Sequence, residues 1–217
     1  MKILTVGDSF TFGEELADRN NAWPFLLGDL LDAEVTNLAK PGSGNKRMIR
    51  YVVDYVATIE RPDLVVVGWS SPGRMEFADE DGFFDLWPGY SGRAFMKEQP
   101  WRVDLLNYMD RHHNEQYLYK QYLLDVILLQ SFLEQQNIRY VMLRTVGNEF
   151  YHNTYYKETK VTADLINVNT YLGWPNMGMA EWTNGCERGP GGHFLDEGHQ
   201  RVANKINEHI RNLGWLS

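Results

Sequence analysis

The sequence predicts an α/β domain in three layers, with helices covering both faces of a central parallel sheet. Three features lead there. Stretches of strand length recur at 3–6, 34–38, 64–68 and 139–144, and Leu64-Val65-Val66-Val67 has the unbroken apolar character of a strand buried on both faces. Stretches between these runs carry apolar residues three and four apart, the spacing of a helix with one face turned inward. The amino-terminal order is strand, helix, strand, helix, strand, which calls for parallel pairing through right-handed crossovers.

Taken in order, the chain leaves its first strand through Gly7-Asp8-Ser9, and Gly13 permits a second bend soon after. Ser9 is thereby set at the carboxyl end of a strand, where open α/β sheets bind their ligands. A polar loop over 14–21 is expected to cross the same edge. Trp23-Pro24 opens the first long helix, with Pro in the turn where its missing N–H is not needed; Phe25, Leu26, Leu30 and Leu31 are expected to form its apolar face. The second strand, Glu34-Val35-Thr36-Asn37-Leu38, runs into Lys40-Pro41-Gly42-Ser43-Gly44-Asn45. Met48, Ile49, Val52, Val53, Val56 and Ile59 mark the next helix, which Pro62-Asp63 ends before the third strand.

From about 70 to 114 the period dissolves into a first irregular insertion. A helix over 115–136, with Leu118, Tyr122, Leu123, Val126, Leu129 and Phe132 on one face, restores it, followed by the fourth strand. A second irregular insertion spans about 147–192, and a closing helix over 196–212 turns Val202, Ile206 and Ile210 inward. Both insertions are rich in aromatics, among them Phe83, Trp87, Tyr90, Phe95, Phe150, Tyr155, Trp174 and Trp182. Because they follow strands three and four, they are expected to overhang the Ser9 edge as a lid. No repeat or boundary interrupts the chain, so residues 1–217 read as one domain.

Composition removes several function classes. A length of 217 residues suits one well-cored domain and is short for two. A net charge of −8 argues against nucleic acid or an anionic membrane surface as the main partner. The single cysteine, Cys186, excludes an internal disulfide framework and a four-cysteine metal site. No His-x-His, cysteine pair or His-Glu-x-x-His occurs, so neither a metal nor another cofactor is expected. No apolar run approaches the ~20 residues of a membrane helix. With strand residues from position 2 and no basic n-region or cleavage site, no signal peptide is read. Synthesis in the cytoplasm is expected, with release on lysis or a place in a virion left open. Oligomeric state is not legible.

The front block Gly7-Asp8-Ser9-Phe10-Thr11-Phe12-Gly13 resembles the first motif of the GDSL esterases, or SGNH hydrolases, and 37–42 resembles the second. The resemblance implies a flavodoxin-like sheet of the SGNH-hydrolase type and an ester hydrolase in which Ser9 is the acyl-accepting nucleophile. It further implies that the oxyanion is met by the Ser9 backbone and by a glycine of the second motif. Counting from Asn37, that glycine is Gly42, with Gly44 the fallback; glycine suits the role because backbone must approach substrate with no side chain between. The third motif departs from the family. Where Gly-x-Asn-Asp is expected, this chain has Gly68-Trp69-Ser70-Ser71. Ser70 is a shorter donor whose hydrogen rotates freely, so this contact is expected to be weaker, or the site reshaped around Arg74. One lost oxyanion donor costs ~2.7–4 kcal/mol in acyl transfer, which makes the departure matter. Asp8 reads as the residue that fixes the Ser9 turn through backbone amides.

The base implied by the resemblance is a histidine, and six are present. His112, His113, His152 and His209 read as surface or structural. Asp196-Glu197-Gly198-His199 matches the family's Asp-x-x-His literally, making His199 the base and Asp196 its acid. The longer family pattern, a His followed shortly by Gly-His opening the last helix, makes His193 the base and Asp196 the helix N-cap. Pro190 then stands in the acid's place. The acid must come from elsewhere, Asp196 and Glu187 being nearest in sequence, or Ser9 and the histidine act as a dyad. His193 is favoured, with His199 the alternative; an imidazole suits proton transfer near neutral pH.

The implied reaction is hydrolysis of a small or carbohydrate-linked ester, such as an O-acetyl group, since aromatic walls with acids and amides suit a sugar better than an acyl chain. The competing reading is a relative that keeps the fold and binds carbohydrate without the chemistry, prompted by the missing Asn and Asp. A nucleotide site is disfavoured because Phe10 and Phe12 stand where backbone must approach phosphate. The short layout with Trp69-Ser70-Ser71 and Arg74 is similar to family members carried by bacteriophages.

Overall fold

β3 (Leu64–Trp69) is buried along its whole length, and the sheet is built outward from it. The computed structural model describes residues 1–87, 100–112, 114–146 and 153–215. In it β3 lies between β1 (Lys2–Val6) and β6 (Arg139–Arg144), and β2 (Glu34–Asn37) pairs with the other side of β1. The order is β2-β1-β3-β6, and every pairing is parallel. Ile3 stands opposite Val35 and Leu64, and Leu64 opposite Arg139, so alternate residues of neighbouring strands share a face.

That alternation sorts the core into two layers. On one face Leu4, Val6, Val65 and Val67 meet α3 (Asn45–Thr58) through Met48 and Val52, and α5 (Glu115–Gln135) through Tyr122, Leu123 and Val126. On the other, Ile3, Leu64, Val66, Val141 and Leu143 meet α2 (Trp23–Leu31) through Trp23 and Leu27, and α8 (Asp196–Asn212) through Val202, Ile206 and Ile210. Each such fully buried aliphatic side chain contributes about 1.5–3 kcal/mol relative to exposure. The three-layer α/β arrangement with a central parallel sheet is thus the observed one. No helix among the described residues is long and apolar enough to cross a membrane.

Local readings need three corrections. The buried face of α2 is Trp23, Leu27 and Gly28, while Leu30 is exposed. Gly28 decides this: a Cβ there would come within 2.5 Å of Val35 Cγ2, so the helix lies flat on β2 along its glycine. Second, the first insertion is ordered over its described part. It contains an antiparallel hairpin, β4 (Met75–Asp79) and β5 (Gly82–Leu86), and the helix α4 (Pro100–Arg111). The hairpin and α4 make a satellite core from Leu86, Leu106 and Met109 with Met75, Phe77 and Phe84. Ion pairs Arg47–Asp85 and Arg50–Glu76, both 2.6 Å, clamp the hairpin to α3. Their partners lie 38 and 26 positions apart, beyond any local period. Third, the second insertion holds α6 (Asn153–Ala163) and the single turn α7 (Met179–Trp182).

Candidate active site

Ser9 opens α1 (Ser9–Phe12), a single helical turn that starts directly after β1. Asp8 caps it, with Oδ1 accepting the Phe10 N–H at 3.1 Å. Gly13 ends it in the left-handed region at φ 81°, its N–H returning to Ser9 O. Gly7 lets the turn fold back tightly, since a Cβ there would sit 2.1 Å from Thr11 Oγ1. Asp8 does more than cap. Its Oδ2 accepts the Thr145 hydroxyl at 2.7 Å and meets Arg74 Nη1 at 3.2 Å, and the side chain is fully buried. One carboxylate therefore braces the ends of β1 and β6 and the loop after β3.

The structure brings His193 to Ser9. Nε2 lies 2.8 Å from Ser9 Oγ. A tight turn delivers the imidazole: Gly192 N–H donates to Gly189 O, and Gly189 N–H to His193 O, with Gly192 at φ 89°. Arg188 Nη1 donates to Gly192 O at 2.8 Å and steadies the turn from outside. The Phe10 ring packs on the imidazole, centroids 4.8 Å apart.

The other imidazole nitrogen meets a carboxylate that sequence reasoning missed. His193 Nδ1 is 2.9 Å from Glu15 Oε2. The same carboxylate accepts the backbone N–H of His193 at 3.1 Å and of Gly191 at 2.5 Å. The Gly191 N–H is the main cause that holds the Glu15 carboxyl below its ordinary range; burial opposes it and the His193 contacts assist. An ionised Glu15 selects the tautomer with hydrogen on Nδ1, leaving Nε2 to accept the Ser9 hydroxyl proton. Glu15 reaches this place because its own backbone is left-handed, φ 71°, just after Gly13. Cβ atoms on Gly189 and Gly191 would approach the Glu15 carboxylate to 2.7 and 3.1 Å, so both glycines shape its seat. The glycines around Pro190 were the available signal, a close approach awaiting a partner.

Asp196 and His199 are placed elsewhere, which corrects the second histidine register. Asp196 is the first residue of α8, not its cap, and its Oδ1 accepts Asn21 Nδ2 at 3.1 Å. His199 is 1% exposed, with Nδ1 accepting the Trp23 N–H at 3.1 Å and its ring 4.6 Å from that of Phe194. Burial, aided by the charge of His193, pushes its pKa down to about 3. It is a core histidine joining the starts of α2 and α8. The Glu187 carbonyl accepts the Leu195 N–H at 3.0 Å, just beyond the turn.

The expected oxyanion donors divide. Gly42 turns at φ 80°, over Trp87, whose ring a Cβ would approach to 3.1 Å. Among the described residues its N–H has no acceptor, whereas the Gly44 N–H is engaged by Asp85 Oδ1 at 2.9 Å. Ser70 is gripped by Asn45, which accepts the Ser70 N–H at 3.0 Å and donates to its carbonyl at 3.3 Å. The Ser70 hydroxyl is buried and has no hydrogen-bond partner among the described residues. Arg74 lies under Asp8 and 5.2 Å from the Trp87 ring. Trp87 thus reaches the Gly42 turn from the first insertion, and Phe77 of the same insertion lines the cavity beside it. Tyr171 and Trp174 pack in the core instead, while Tyr90, Phe95, Phe150 and Tyr151 lie outside the described residues, as do His113 and His152. A cavity of about 230 Å³ lies beside the Ser70 loop, lined by Asn45, Arg74, Tyr117, Gln121, Tyr122 and Asp125 and by the apolar Met75, Phe77 and Leu118, with Ser9 and His193 outside its lining. Among the described residues no cluster of three His, Cys, Asp or Glu side chains is placed to hold a metal ion.

A hydroxyl, an imidazole and a carboxylate in series at the carboxyl edge of a parallel sheet can relay a proton, and solved structures of the same fold are esterases of the SGNH/GDSL type. They include the psychrotrophic esterase EstA from Pseudoalteromonas sp., 13% identical over 98% of this chain and 97% of that one, with a TM-score of 0.60. A member of the lipolytic G-D-S-L family from Veillonella parvula is 14% identical over 96% and 97%, TM-score 0.53. A carbohydrate esterase family 2 enzyme with a carbohydrate binding domain, from Corynascus thermopiles, is 14% identical over 99% of this chain and 67% of that one, TM-score 0.57. At these identities the likeness is one of fold. No curated protein matches the sequence. Residues 12–217 match the model of a family of unknown function, DUF6071, and the chain belongs to that family.

Proposed function

We propose that this protein is a serine ester hydrolase working through an acyl-enzyme on Ser9. The observation that carries the reading is the position of one imidazole, 2.8 Å from the Ser9 hydroxyl on one side and 2.9 Å from the Glu15 carboxylate on the other. In the proposed cycle Ser9 Oγ attacks the ester carbonyl while its proton passes to His193 Nε2. Glu15 stabilises the resulting imidazolium and keeps the ring oriented. The oxyanion is met by the Ser9 N–H, which as the first amide of a helix has no acceptor within it, by the Gly42 N–H and by the Ser70 hydroxyl. His193 returns its proton to the leaving alkoxide, which departs as the alcohol. A water molecule then attacks the acyl-enzyme, His193 again taking and returning one proton, and the free acid and Ser9 are restored.

The proposed substrate is a small or carbohydrate-linked ester. The cavity beside the Ser70 loop is in keeping with it: Tyr117, Gln121 and Tyr122 can meet the hydroxyls of a ring, while Met75, Phe77 and Leu118 meet its apolar face. Hydrolysis of p-nitrophenyl acetate, together with covalent labelling of Ser9 by a fluorophosphonate, tests the reading. Both are expected in the wild type and absent from Ser9→Ala. No hydrolysis and no labelling would leave the alternative, a carbohydrate-binding relative that keeps the fold and has lost the chemistry.

A further inference from the structure

The imidazole of His193 stands between two consecutive carboxylates. Glu15 takes Nδ1, and Glu14 lies on the other side with Oε2 3.6 Å from Nε2. That nitrogen is the one facing the Ser9 hydroxyl. The Glu14 side chain is 42% exposed, so it stands at the mouth of the site rather than within the relay. Among the described residues its one ion-pair partner is this imidazole. Neighbouring charges are balanced differently: Arg74 by Asp8, and Lys46 by Asp125. Arg188 is held by the Gly192 carbonyl and the Thr183 hydroxyl, while Lys40 is exposed beside the Gly42 turn.

We infer that Glu14 selects substrates by charge, so that the site accepts esters that are neutral or cationic around the scissile carbonyl and rejects anionic ones. The inference rests on the hydrolase reading above and narrows its substrate class. Whatever carbonyl Ser9 attacks must sit against Oγ, and the imidazole that contacts Oγ also contacts Glu14. A charge borne close to that carbonyl comes within about 6 Å of the carboxylate. At such a distance, effective dielectrics of about 80 to 20 make one unit charge worth roughly threefold to a hundredfold in rate, and the half-exposed setting places it near tenfold. Imidazole alone would not discriminate in this way, and the Glu15 carboxylate is screened from substrate by the ring it holds.

The test compares kcat/KM for neutral p-nitrophenyl acetate with that for the monoanionic p-nitrophenyl ester of succinic acid. Wild type is set beside Glu14→Gln and Glu14→Lys, with fluorophosphonate labelling of Ser9 in each. The neutral-to-anionic ratio is expected to fall about tenfold in Glu14→Gln and further in Glu14→Lys. Added salt is expected to shrink the wild-type ratio and to leave that of Glu14→Gln nearly unmoved, because the Debye length falls from about 10 Å at ~0.1 M to ~3 Å at ~1 M; a merely structural role for Glu14 would not show that dependence. Equal ratios in wild type and Glu14→Gln, with Ser9 still labelled, overturn the inference and leave the hydrolase reading standing. Absence of both hydrolysis and labelling in every form overturns the two together.

Discussion

His193 Nδ1 and Glu15 Oε2 lie 2.9 Å apart although 178 positions separate the residues in the chain. The carboxylate comes from the loop that follows Ser9, not from the loop that carries the imidazole. The amino-terminal block therefore holds both ends of the hydroxyl–imidazole–carboxylate series, and the carboxyl-terminal turn inserts only the middle member.

Replacing Glu15 tests that arrangement most directly. Glu15→Gln is expected to lower kcat/KM for p-nitrophenyl acetate by about 10²–10⁴-fold, because an amide no longer selects the useful tautomer or stabilises the imidazolium. Activity within a factor of two of wild type would remove Glu15 from the proposed relay.

The seat of Glu15 can be disturbed without touching any polar group. A Cβ on Gly189 would meet Glu15 atoms at 2.7 to 2.9 Å. Gly189→Ala is expected to push the carboxylate off Nδ1 and cut kcat at least tenfold, with KM changing less. Circular dichroism should show a folded protein, because the obstructing atoms belong to one side chain at the surface of the site. Unchanged kcat would mean the turn yields instead.

Ser70 separates stability from chemistry. Its hydroxyl is buried without a partner among the described residues, so Ser70→Ala removes an unsatisfied polar group and is expected to leave Tm equal or slightly higher. As the proposed third oxyanion donor, its loss is expected to lower kcat by about 10²–10³-fold. A variant as active as wild type would leave the oxyanion to the two backbone amides.

Acid sensitivity should report His199. In the folded protein its pKa is pushed down to about 3, against an ordinary 6.5. Above that ordinary value the ring is neutral in both states and contributes nothing to the pH dependence. As pH falls below it, the unfolded chain takes up a proton that the folded one refuses, so stability is lost until about pH 3, where the folded ring titrates too. At pH 5 the loss is about 2 kcal/mol. His209, also lowered by burial, adds to it in the same direction. Urea titrations at pH 5 and 7.5 should show a smaller difference for His199→Gln than for wild type; equal differences would refute the assignment.

Local pattern carried most of the architecture. The apolar runs of β1 and β3, and the spacing of Met48 and Val52 or of Val202, Ile206 and Ile210, respond to a sheet buried on both faces. Such regularities are properties of neighbouring residues and can be read one segment at a time. The hairpin of β4 and β5 escaped because Asp85 and Glu76 are held by Arg47 and Arg50 of a different element. Its side chains answer to α3 and α4 rather than to a two-residue period.

The candidate site divides along the same line. By itself the sequence determined the strand that ends in Gly7-Asp8-Ser9, the sheet edge where that serine stands and a short list of histidines, because each follows from contiguous residues. Only the tertiary structure decided that His193 meets Ser9 while His199 is walled into the core, and that Glu15 of the amino-terminal loop stands opposite the imidazole. The physical reason is that a tautomer and a hydrogen-bond partner depend on distances of about 3 Å between loops, set by a left-handed turn at Glu15 and by glycines whose value appears only when the other loop is present.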